Sequence, residues 1–474
     1  MDEVTTLDYW VAPDAPTHWE PHSNNHVLNS TLMRLSVLLF GRSEMALRAP
    51  ALLGAVIYVI SIYRLCMLLA SGLTFRWALF VCFIYNPFIM DYLVAARGYG
   101  LALGFLSLAI YQLAKTLLQD WGTNSERNML NRVMSISACA ALSFCASFTF
   151  AYASGFLLFI ACALVGLRLL QRKHRIVSLA RLAAASSLPA ILVVICLAGS
   201  ALTRFPRSQL FWGTDSLLKC WNDIREGSFL ELSPYLVNPL LAPILESFKH
   251  YLFRAMAGVG IVYLVLLWVV RRQFHEAHAK SRLLLSGSLT LVLALTVLAH
   301  WVQFKVMKIP LPFERTSLFI VPLSTALVGA GLSVVPSDRI TRAVRAVLIA
   351  ILTITGIYFV GELRDSYFRE WRDNAEIKAA FPVVLDLCRR MGVREVVSHM
   401  NLTRSLNYYR TLYKASDIDE LAYFEKMPPN KPIYVLLESW NHDFIRTEDL
   451  RIAWHGSVSD LVILVRPGAV HTVK

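Results

Sequence analysis

Long apolar blocks are the feature that most constrains what this chain can fold into. Ten blocks of roughly 20 residues carry few charges, and a helix of that length crosses the hydrocarbon core of a bilayer. Charged residues make up 17% of the 474 residues, against about 25% in soluble domains. One soluble core cannot bury so many blocks. The sequence therefore predicts a mainly α, polytopic bundle of transmembrane helices.

The predicted spans form a group of six and a group of four, separated by a long loop. They run over Ala46–Ala70, Trp77–Ala95, Leu101–Leu118, Val133–Thr149, Ala151–Leu170, Leu182–Leu202, Tyr251–Val270, Leu283–Gln303, Ser317–Val335 and Ala343–Gly361. The stretch from Val133 to Leu170 fits two short helices or one long tilted helix. We favour two, because one helix of that length exceeds the thickness of the bilayer.

Three short basic loops indicate the orientation. Gln171–Arg181, Arg271–Arg282 and Ser337–Arg345 are rich in arginine and lysine, which predicts that they face the cytoplasm. Ten spans then place the chain start, the loops Thr203–His250 and Phe304–Thr316, and the C-terminus outside. The net charge of +13 lies in such loops, which favours contact with lipid phosphate and not with nucleic acid. We expect a multi-pass protein of the cell (inner) membrane.

After Gly361 the sequence changes character. An amphipathic helix is predicted over Asn374–Met391, and short strands rich in valine and isoleucine over Glu395–Ser398, Pro432–Glu438 and Asp460–Val465. The predicted organisation is a transmembrane domain over 1–361, whose residues 1–45 form an outer loop with an amphipathic helix. A small α/β domain over 362–474 follows on the extracytoplasmic face.

The start of the chain is polar and has no signal peptide, although its predicted outside position requires translocation. We expect a further span upstream of Met1. The alternative is that the first span carries a short tail across the membrane by its own orientation.

Polar residues collect on the predicted outer face, where ionisable groups at membrane depth indicate function. One group lies near the chain start and consists of Asp2, Glu3, His18, His22, Asn24, Asn25 and His26. A second group, between the second and third spans, consists of Asp91, Tyr92, Arg97 and Tyr99. A third consists of Glu314 and Arg315 before the ninth span, with Arg204 and Arg207 of the large loop. A carboxylate at the interface can take the proton of a hydroxyl group, and arginine binds phosphate in a bidentate manner.

Four segments, taken in this order, resemble the GT-C fold glycosyltransferases. They are the pair Asp2–Glu3, the run His22–Gly54, the motif ARGYGL at Ala96–Leu101, and PFERTSLFIVPL at Pro312–Leu323. The likeness is to the branch that contains protein mannosyltransferases, aminoarabinose transferases and rhizobial galacturonosyltransferases, and it covers roughly the first 360 residues. In that family a span normally precedes the acidic pair, and this chain departs from the pattern there.

The resemblance implies transfer of a sugar from a polyprenyl-phosphate donor to a lipid, glycan or protein acceptor at the outer face, with inversion. It assigns the catalytic carboxylate to Asp2, with Glu3 beside it. We expect Arg97, Arg315 and Arg204 to bind the donor phosphate. The residues expected to bind substrate are His22, Asn25, His26, Asp91 and Tyr99.

Each of these residues has a simpler alternative role. Asp2 fits a flexible terminal residue, Arg97 and Arg315 fit anchors at the membrane interface, and Asp91 fits an ion-pair partner of Arg97. Histidines 18, 22 and 26 have the spacing of a zinc site on one helix face, but Pro21 interrupts such a helix. We therefore expect no metal ligands and no cofactor, with a divalent metal left open.

Two other classes of function remain. A transporter or flippase for a lipid-linked or anionic solute predicts broken helices and ionisable residues near the midplane. A non-catalytic scaffold predicts that the C-terminal domain binds a protein partner. The clustering of polar residues on one predicted face favours the enzyme.

Overall fold

A computed structural model describes most of the chain. The described residues are 4, 6–11, 25–121, 125–170, 175–203, 211–233, 235–273, 276–336, 338–364, 366–424 and 426–467. Two compact units are present. The helical unit comprises Pro13–Ser36 and Arg48–Leu363, and the sheet unit comprises Met1–Ala12, Val37–Leu47 and Arg364–Lys474.

Thirteen helices are described up to Gly361. They are α1 Val27–Phe40, α2 Glu44–Leu69, α3 Leu73–Ile84, α4 Pro87–Val94, α5 Tyr99–Lys115, α6 Glu126–Ala146, α7 Ala151–Leu169, α8 Arg175–Thr203, α9 Leu217–Ser228, α10 Ala242–Val269, α11 Ala277–Met307, α12 Ile320–Ser333 and α13 Arg339–Gly361. Nine helical stretches in the described residues are long and apolar enough to cross a membrane, and the pair α3–α4 makes a tenth if it counts as one span. The prediction of about ten spans is confirmed.

The second predicted span is broken. Helices α3 and α4 meet at an angle of 56° at Asn86 and Pro87. Proline has no backbone N–H and its ring clashes with the preceding turn, so the helix restarts at this residue. The predicted span over Trp77–Ala95 thus corresponds to two helices with a bend between them.

The region from Val133 to Leu170 forms two spans, as predicted. Helix α6 ends at Ala146, and α7 begins at Ala151 after a 3-10 turn at Phe148–Phe150. Helix α6 starts earlier than predicted because Ser125 caps its first turn by accepting a hydrogen bond from the N–H of Asn128.

Helices α2 and α5 cross at a glycine contact. A Cβ atom on Gly54 would lie 2.3 Å from the backbone nitrogen of Leu101, and one on Gly104 would lie 2.5 Å from the carbonyl oxygen of Gly54. Small residues let two helix backbones approach closely in a membrane. This contact fixes the start of α5, and with it the segment just before α5.

The sheet unit contains a four-stranded sheet with the order β1-β2-β4-β3. The strands are β1 Val396–Ser398, β2 Ile433–Leu437, β3 Arg451–His455 and β4 Leu461–Val465, and the helices are α14 Ile377–Met391, α15 Met400–Leu412 and α16 Glu438–Thr447. Strands β1 and β2 are parallel, and β4 is antiparallel to both β2 and β3. The predicted small C-terminal α/β domain is confirmed, with one strand more than predicted.

The core of this sheet lies against α14. Buried apolar residues of α14 include Phe381, Val384 and Cys388, and they form one cluster with Val435 of β2 and Ile463 of β4. The amphipathic pattern that predicted α14 is therefore the pattern of a helix that packs on one sheet face. Burial raises the pKa of the Cys388 thiol to about 12, as expected for a cysteine in a core.

A turn near the chain start packs within the sheet unit. Leu7–Val11 forms one π-helical turn, in which Tyr9 lies against Arg404 of α15, with 4.8 Å between the ring centroid and the guanidinium carbon. The phenol oxygen of Tyr9 accepts a hydrogen bond from Arg404 Nη2 at 3.0 Å. Arg404 also donates to the hydroxyl of Tyr423. This arginine thus holds the turn Leu7–Val11 on α15.

Candidate functional site

Arg97 lies in the short break between α4 and α5. Its side chain has no solvent-exposed surface and is the largest among the fully buried side chains described. The backbone turns sharply here, since the N–H of Arg97 donates to the carbonyl of Ala95 at 2.6 Å. A guanidinium group stays ionised in a protein, so the break places a permanent positive charge in the interior of a membrane protein.

Three predicted substrate residues come together beside this break. Asn25 and His26 are buried, and the His26 ring contacts the Tyr99 ring edge-on at 4.7 Å between centroids. Ser30 donates a hydrogen bond to Asn25 Oδ1 at 2.9 Å, and His26 Nδ1 lies 2.8 Å from the carbonyl oxygen of Ala146. The segment before α1 is thereby fastened to the ends of α5 and α6.

Gly98, the first glycine of the ARGYGL motif, allows this close packing. A Cβ atom on Gly98 would lie 1.9 Å from the carbonyl oxygen of Ala146 and 2.8 Å from Cβ of His26. Real Cβ contacts are not this short, so any other residue would push Arg97, His26 and α6 apart. The glycine that carried part of the family resemblance is thus required for the geometry of the polar cluster.

Asp91 is a mostly buried residue of α4, with 9% of its surface exposed. Its neighbour Tyr92 contacts Tyr99 edge-on at 5.2 Å, which joins α4 to the cluster around His26. Asp91, Arg97, Tyr99, Asn25 and His26 therefore belong to one region of the helical unit. We call these five residues the polar cluster.

Arg315 lies on the 3-10 turn Glu314–Ser317, just before α12. The carboxylate of Asp223 in α9 accepts a hydrogen bond from the N–H of Glu314 at 2.7 Å. The guanidinium carbon of Arg315 lies 5.1 Å from the centroid of the Trp212 ring. Helix α9 contacts both this turn and α4, the helix that carries Asp91.

Four of the predicted site residues lie outside the described residues. They are Asp2, Glu3, His22 and Arg204, and His18 of the weighed zinc spacing lies outside them as well. Their assigned roles stay predictions.

An apolar cavity of about 240 Å³ lies among α3, α9, α10, α12 and α13 in the helical unit. Most of its lining is apolar, with Phe229, Phe253 and Leu264 among the side chains. Asn86 lines it at the break between α3 and α4 and is 4% exposed. The oxygen Oδ1 of Asn86 has no hydrogen-bond partner among the residues that the structure describes. The cavity thus has a mostly apolar lining with a few polar side chains, namely Asn86, Ser228, Ser324, Thr325 and Thr355.

Sequence reasoning missed Asp223, Asn86 and Trp212 as parts of this region. The Asn-Pro dipeptide at Asn86 was a usable signal, because such pairs favour a break in a helix. Asp223 gives no such signal, since it sits in a polar loop segment and its contact with Glu314 joins residues 91 positions apart. Trp212 gives no such signal either, because tryptophan is common at membrane interfaces.

No protein-family model and no curated protein sequence matches this chain. Among solved structures, the chain is similar to ArnT from Cupriavidus metallidurans in the apo state, with a TM-score of 0.46, 11% identity, and coverage of 100% of this chain and 94% of that chain. The same protein bound to undecaprenyl phosphate gives a TM-score of 0.47 and 10% identity, with coverage of 99% and 93%.

A third likeness is to the archaeal oligosaccharyltransferase AglB from Archaeoglobus fulgidus, in complex with an inhibitory peptide and a dolichol-phosphate. Its TM-score is 0.40 at 10% identity, with coverage of 93% of this chain and 65% of that chain. With TM-scores of 0.40–0.47, these likenesses carry no substrate, residue role or mechanism over to this chain.

Proposed function

We propose that this chain is a membrane glycosyltransferase that moves a sugar from a polyprenyl-phosphate donor to an acceptor hydroxyl on the extracytoplasmic face. The observation that carries the proposal is Arg97, a fully buried arginine in the break between α4 and α5 of a multi-pass membrane protein. Its chain neighbours Gly98 and Tyr99 pack against the buried His26. Buried ionisable groups in membrane proteins mark substrate sites, and arginine is suited to a phosphate group.

In the proposed reaction the acceptor oxygen attacks the anomeric carbon of the donor sugar. The bond from that carbon to the phosphate oxygen breaks, and the lipid phosphate leaves with the electron pair. The resemblance gives Asp2 the role of taking the hydroxyl proton, with Glu3 next to it. Direct displacement of this kind inverts the anomeric centre.

Arg97 is proposed to stabilise the negative charge that grows on the leaving phosphate. Loss of such a preorganised group typically slows a reaction on the order of 10²-fold. Arg315 and Arg204 are proposed as further phosphate ligands. His26, Asn25, Tyr99 and Asp91 supply hydrogen-bonding groups for sugar hydroxyls.

The apolar cavity fits the hydrocarbon part of a lipid carrier. A prenyl chain needs a wall of apolar side chains, and Phe229, Phe253 and Leu264 provide one in the helical unit. The α9 helix lines this cavity and also contacts α4, which carries Asp91. The helices that would bind the lipid headgroup at the polar cluster and the lipid chain in the cavity are therefore in contact with each other.

Binding of undecaprenyl phosphate, without a sugar, tests the role of Arg97. We expect Arg97→Ala to weaken binding to the full-length protein by about 10- to 100-fold, since a hydrogen bond to a charged group contributes about 1.5–3 kcal/mol. Arg97→Lys should bind with intermediate affinity, because lysine keeps the charge but not the planar fork. Native mass spectrometry or quenching of tryptophan fluorescence measures these affinities.

Arg127→Ala is the matched control, because Arg127 is an exposed arginine near the start of α6, at the opposite end of that helix from Ala146. It should bind undecaprenyl phosphate like the wild type. Asp2→Asn should bind normally but give no labelled product with polyprenyl-phosphate-linked sugars. Equal affinities of Arg97→Ala and Arg127→Ala would overturn the assignment of Arg97.

The break between α3 and α4 is the observation that favours a transporter. Broken helices with a buried polar residue at the break, here Asn86, occur at transport sites. Reconstituted vesicles that contain a labelled polyprenyl-phosphate sugar separate the two functions. A covalent product supports the transferase, and transfer of the intact lipid between leaflets without a product supports the transporter.

A further inference from the structure

Three side chains of types that can bind a metal ion lie together at one end of the strands in the sheet unit. Glu438 directly follows β2, His455 ends β3, and Asp460 directly precedes β4. The pairing of β2 with β4 and of β3 with β4 brings these three positions to the same end. The carboxyl ends of the parallel strands β1 and β2 lie at this end too, and ligands of α/β sheets are commonly bound there.

The ligand atoms are already close to one another. His455 Nε2 lies 3.2 Å from Glu438 Oε2, and one ligand atom from each of Glu438, His455 and Asp460 lies within 4.8 Å of the other two. Nitrogen and oxygen ligands of a tetrahedral zinc ion lie about 3.4 Å apart, as follows from bond lengths of about 2.0–2.2 Å. Small side-chain rotations therefore suffice to bring the third ligand in.

The backbone around these residues is held in place. Asp460 Oδ2 accepts a hydrogen bond from the N–H of Ser439 at 2.6 Å, and the N–H of Glu438 donates to the carbonyl of Asp460 at 2.9 Å. The turn between His455 and Asp460 is bound by Glu376, whose carboxylate accepts hydrogen bonds from Ser457, Val458 and Ser459. The spacing of the three residues is thus set by hydrogen bonds between the ends of β2 and β4 and by Glu376, which lies outside the set.

We propose that Glu438, His455 and Asp460 form a binding site for a divalent transition-metal ion of the zinc class. One imidazole nitrogen and two carboxylate oxygens form a mixed set, and imidazole favours zinc, copper or nickel over calcium and magnesium, which prefer oxygen alone. All three side chains are at least partly exposed, so an ion reaches them from solvent and water completes its coordination. This site is separate from the polar cluster and does not depend on the proposed transferase activity.

Zinc titration of the metal-stripped, full-length protein in detergent tests the proposal. We expect saturable binding of Zn²⁺ by calorimetry, weakened at least 10-fold in His455→Ala and in Asp460→Asn. The asparagine variant retains an acceptor for the N–H of Ser439, so its fold is preserved even if the alanine variant is less stable. Glu376→Gln should weaken binding by about 10-fold, as loss of a residue that orients a ligand does.

His442→Ala is the matched control, since His442 is an exposed histidine of α16 outside the ligand set. It should bind Zn²⁺ like the wild type. Calcium and magnesium should not displace bound Zn²⁺. The proposal is overturned if the wild type shows no saturable binding, if His455→Ala and Asp460→Asn bind like the wild type, or if Ca²⁺ competes equally.

Discussion

Glu376 illustrates how one carboxylate can fix a loop. It accepts five hydrogen bonds from the backbone and hydroxyl groups of Ser457, Val458 and Ser459, at 2.6–3.1 Å. Burial opposes ionisation of this group, but the hydrogen bonds outweigh it and lower its pKa from 4.5 to about 2. A pKa that is lower in the folded state contributes stability above the unfolded value and loses it as the pH falls.

We therefore expect the β3–β4 turn to lose protection as the pH falls from about 4.5 towards about 2. Glu376→Gln should already be less protected at pH 7 and should lack this pH dependence. Hydrogen exchange of the segment 451–465 in the full-length protein measures both effects. Asp386→Asn is the control, because its exposed pair with Arg390 contributes at most about 1 kcal/mol. A wild-type pH profile in Glu376→Gln would contradict this account.

Residues differ in how far the sequence predicts them. Arg97 was predicted because it lies in the ARGYGL motif at the outer end of a predicted span, where an ionisable group indicates function. His26 and Asn25 were predicted from the resemblance, and the structure shows them buried next to Tyr99. The Arg404 contact with Tyr9 could not be predicted, since it joins residues 395 positions apart on a polar surface.

At the scale of elements, the crossing of α2 and α5 depends on three glycines. A Cβ atom on Gly100 would lie 2.9 Å from the carbonyl oxygen of Ala51, in line with the contacts at Gly54 and Gly104. Backbone atoms on the other side cannot rotate away as a side chain can. Added methyl groups must therefore separate the two helices, and overpacking of this kind costs about 1–3 kcal/mol or more.

We expect Gly104→Ala to lower the thermal stability and the yield of folded protein, with a further loss of undecaprenyl phosphate binding because α5 begins next to Arg97. Gly155→Ala is the control within α7, since a Cβ atom there meets nothing within 4 Å. It should be neutral or slightly stabilising, because alanine favours a helix over glycine by about 1 kcal/mol. Thermal unfolding followed by size-exclusion chromatography compares them. Equal stability of the two variants would show that the crossing tolerates a methyl group.

Helices and strands were predicted correctly where one physical signal dominates the sequence. Apolar blocks predict spans because every backbone polar group in a bilayer must be satisfied within a helix. Strand β3 was missed because Arg451, Ile452 and Ala453 are exposed, so that it lacks the apolar run of a central strand. Helix α9 was missed because its polar sequence lies in a loop between spans, where hydropathy carries no signal.

At the scale of the whole molecule, the apolar blocks also predict which loops share a side of the membrane. When the pair α3–α4 is counted as one span, ten spans alternate in direction, and the loops at even and odd positions fall on opposite sides. The basic loops Gln171–Arg181, Arg271–Arg282 and Ser337–Arg345 all fall in one set, which the positive-inside rule assigns to the cytoplasm. A single error in the number of spans would move every later loop to the opposite side of the membrane. The orientation of the loops is therefore a strict test of the fold.

Cysteine labelling from outside intact cells provides that test. Lys219 lies in the large loop after α8 and Lys280 near the start of α11, and both are exposed. In a background with Cys196 replaced by serine, we expect a membrane-impermeant thiol reagent to label Lys219→Cys in intact cells and Lys280→Cys only after permeabilisation. Lys426→Cys, in the sheet unit, should behave like Lys219→Cys, because ten spans put the start and the end of the chain on one side. The reverse pattern would place the polar cluster on the cytoplasmic side, where no extracytoplasmic acceptor could reach it.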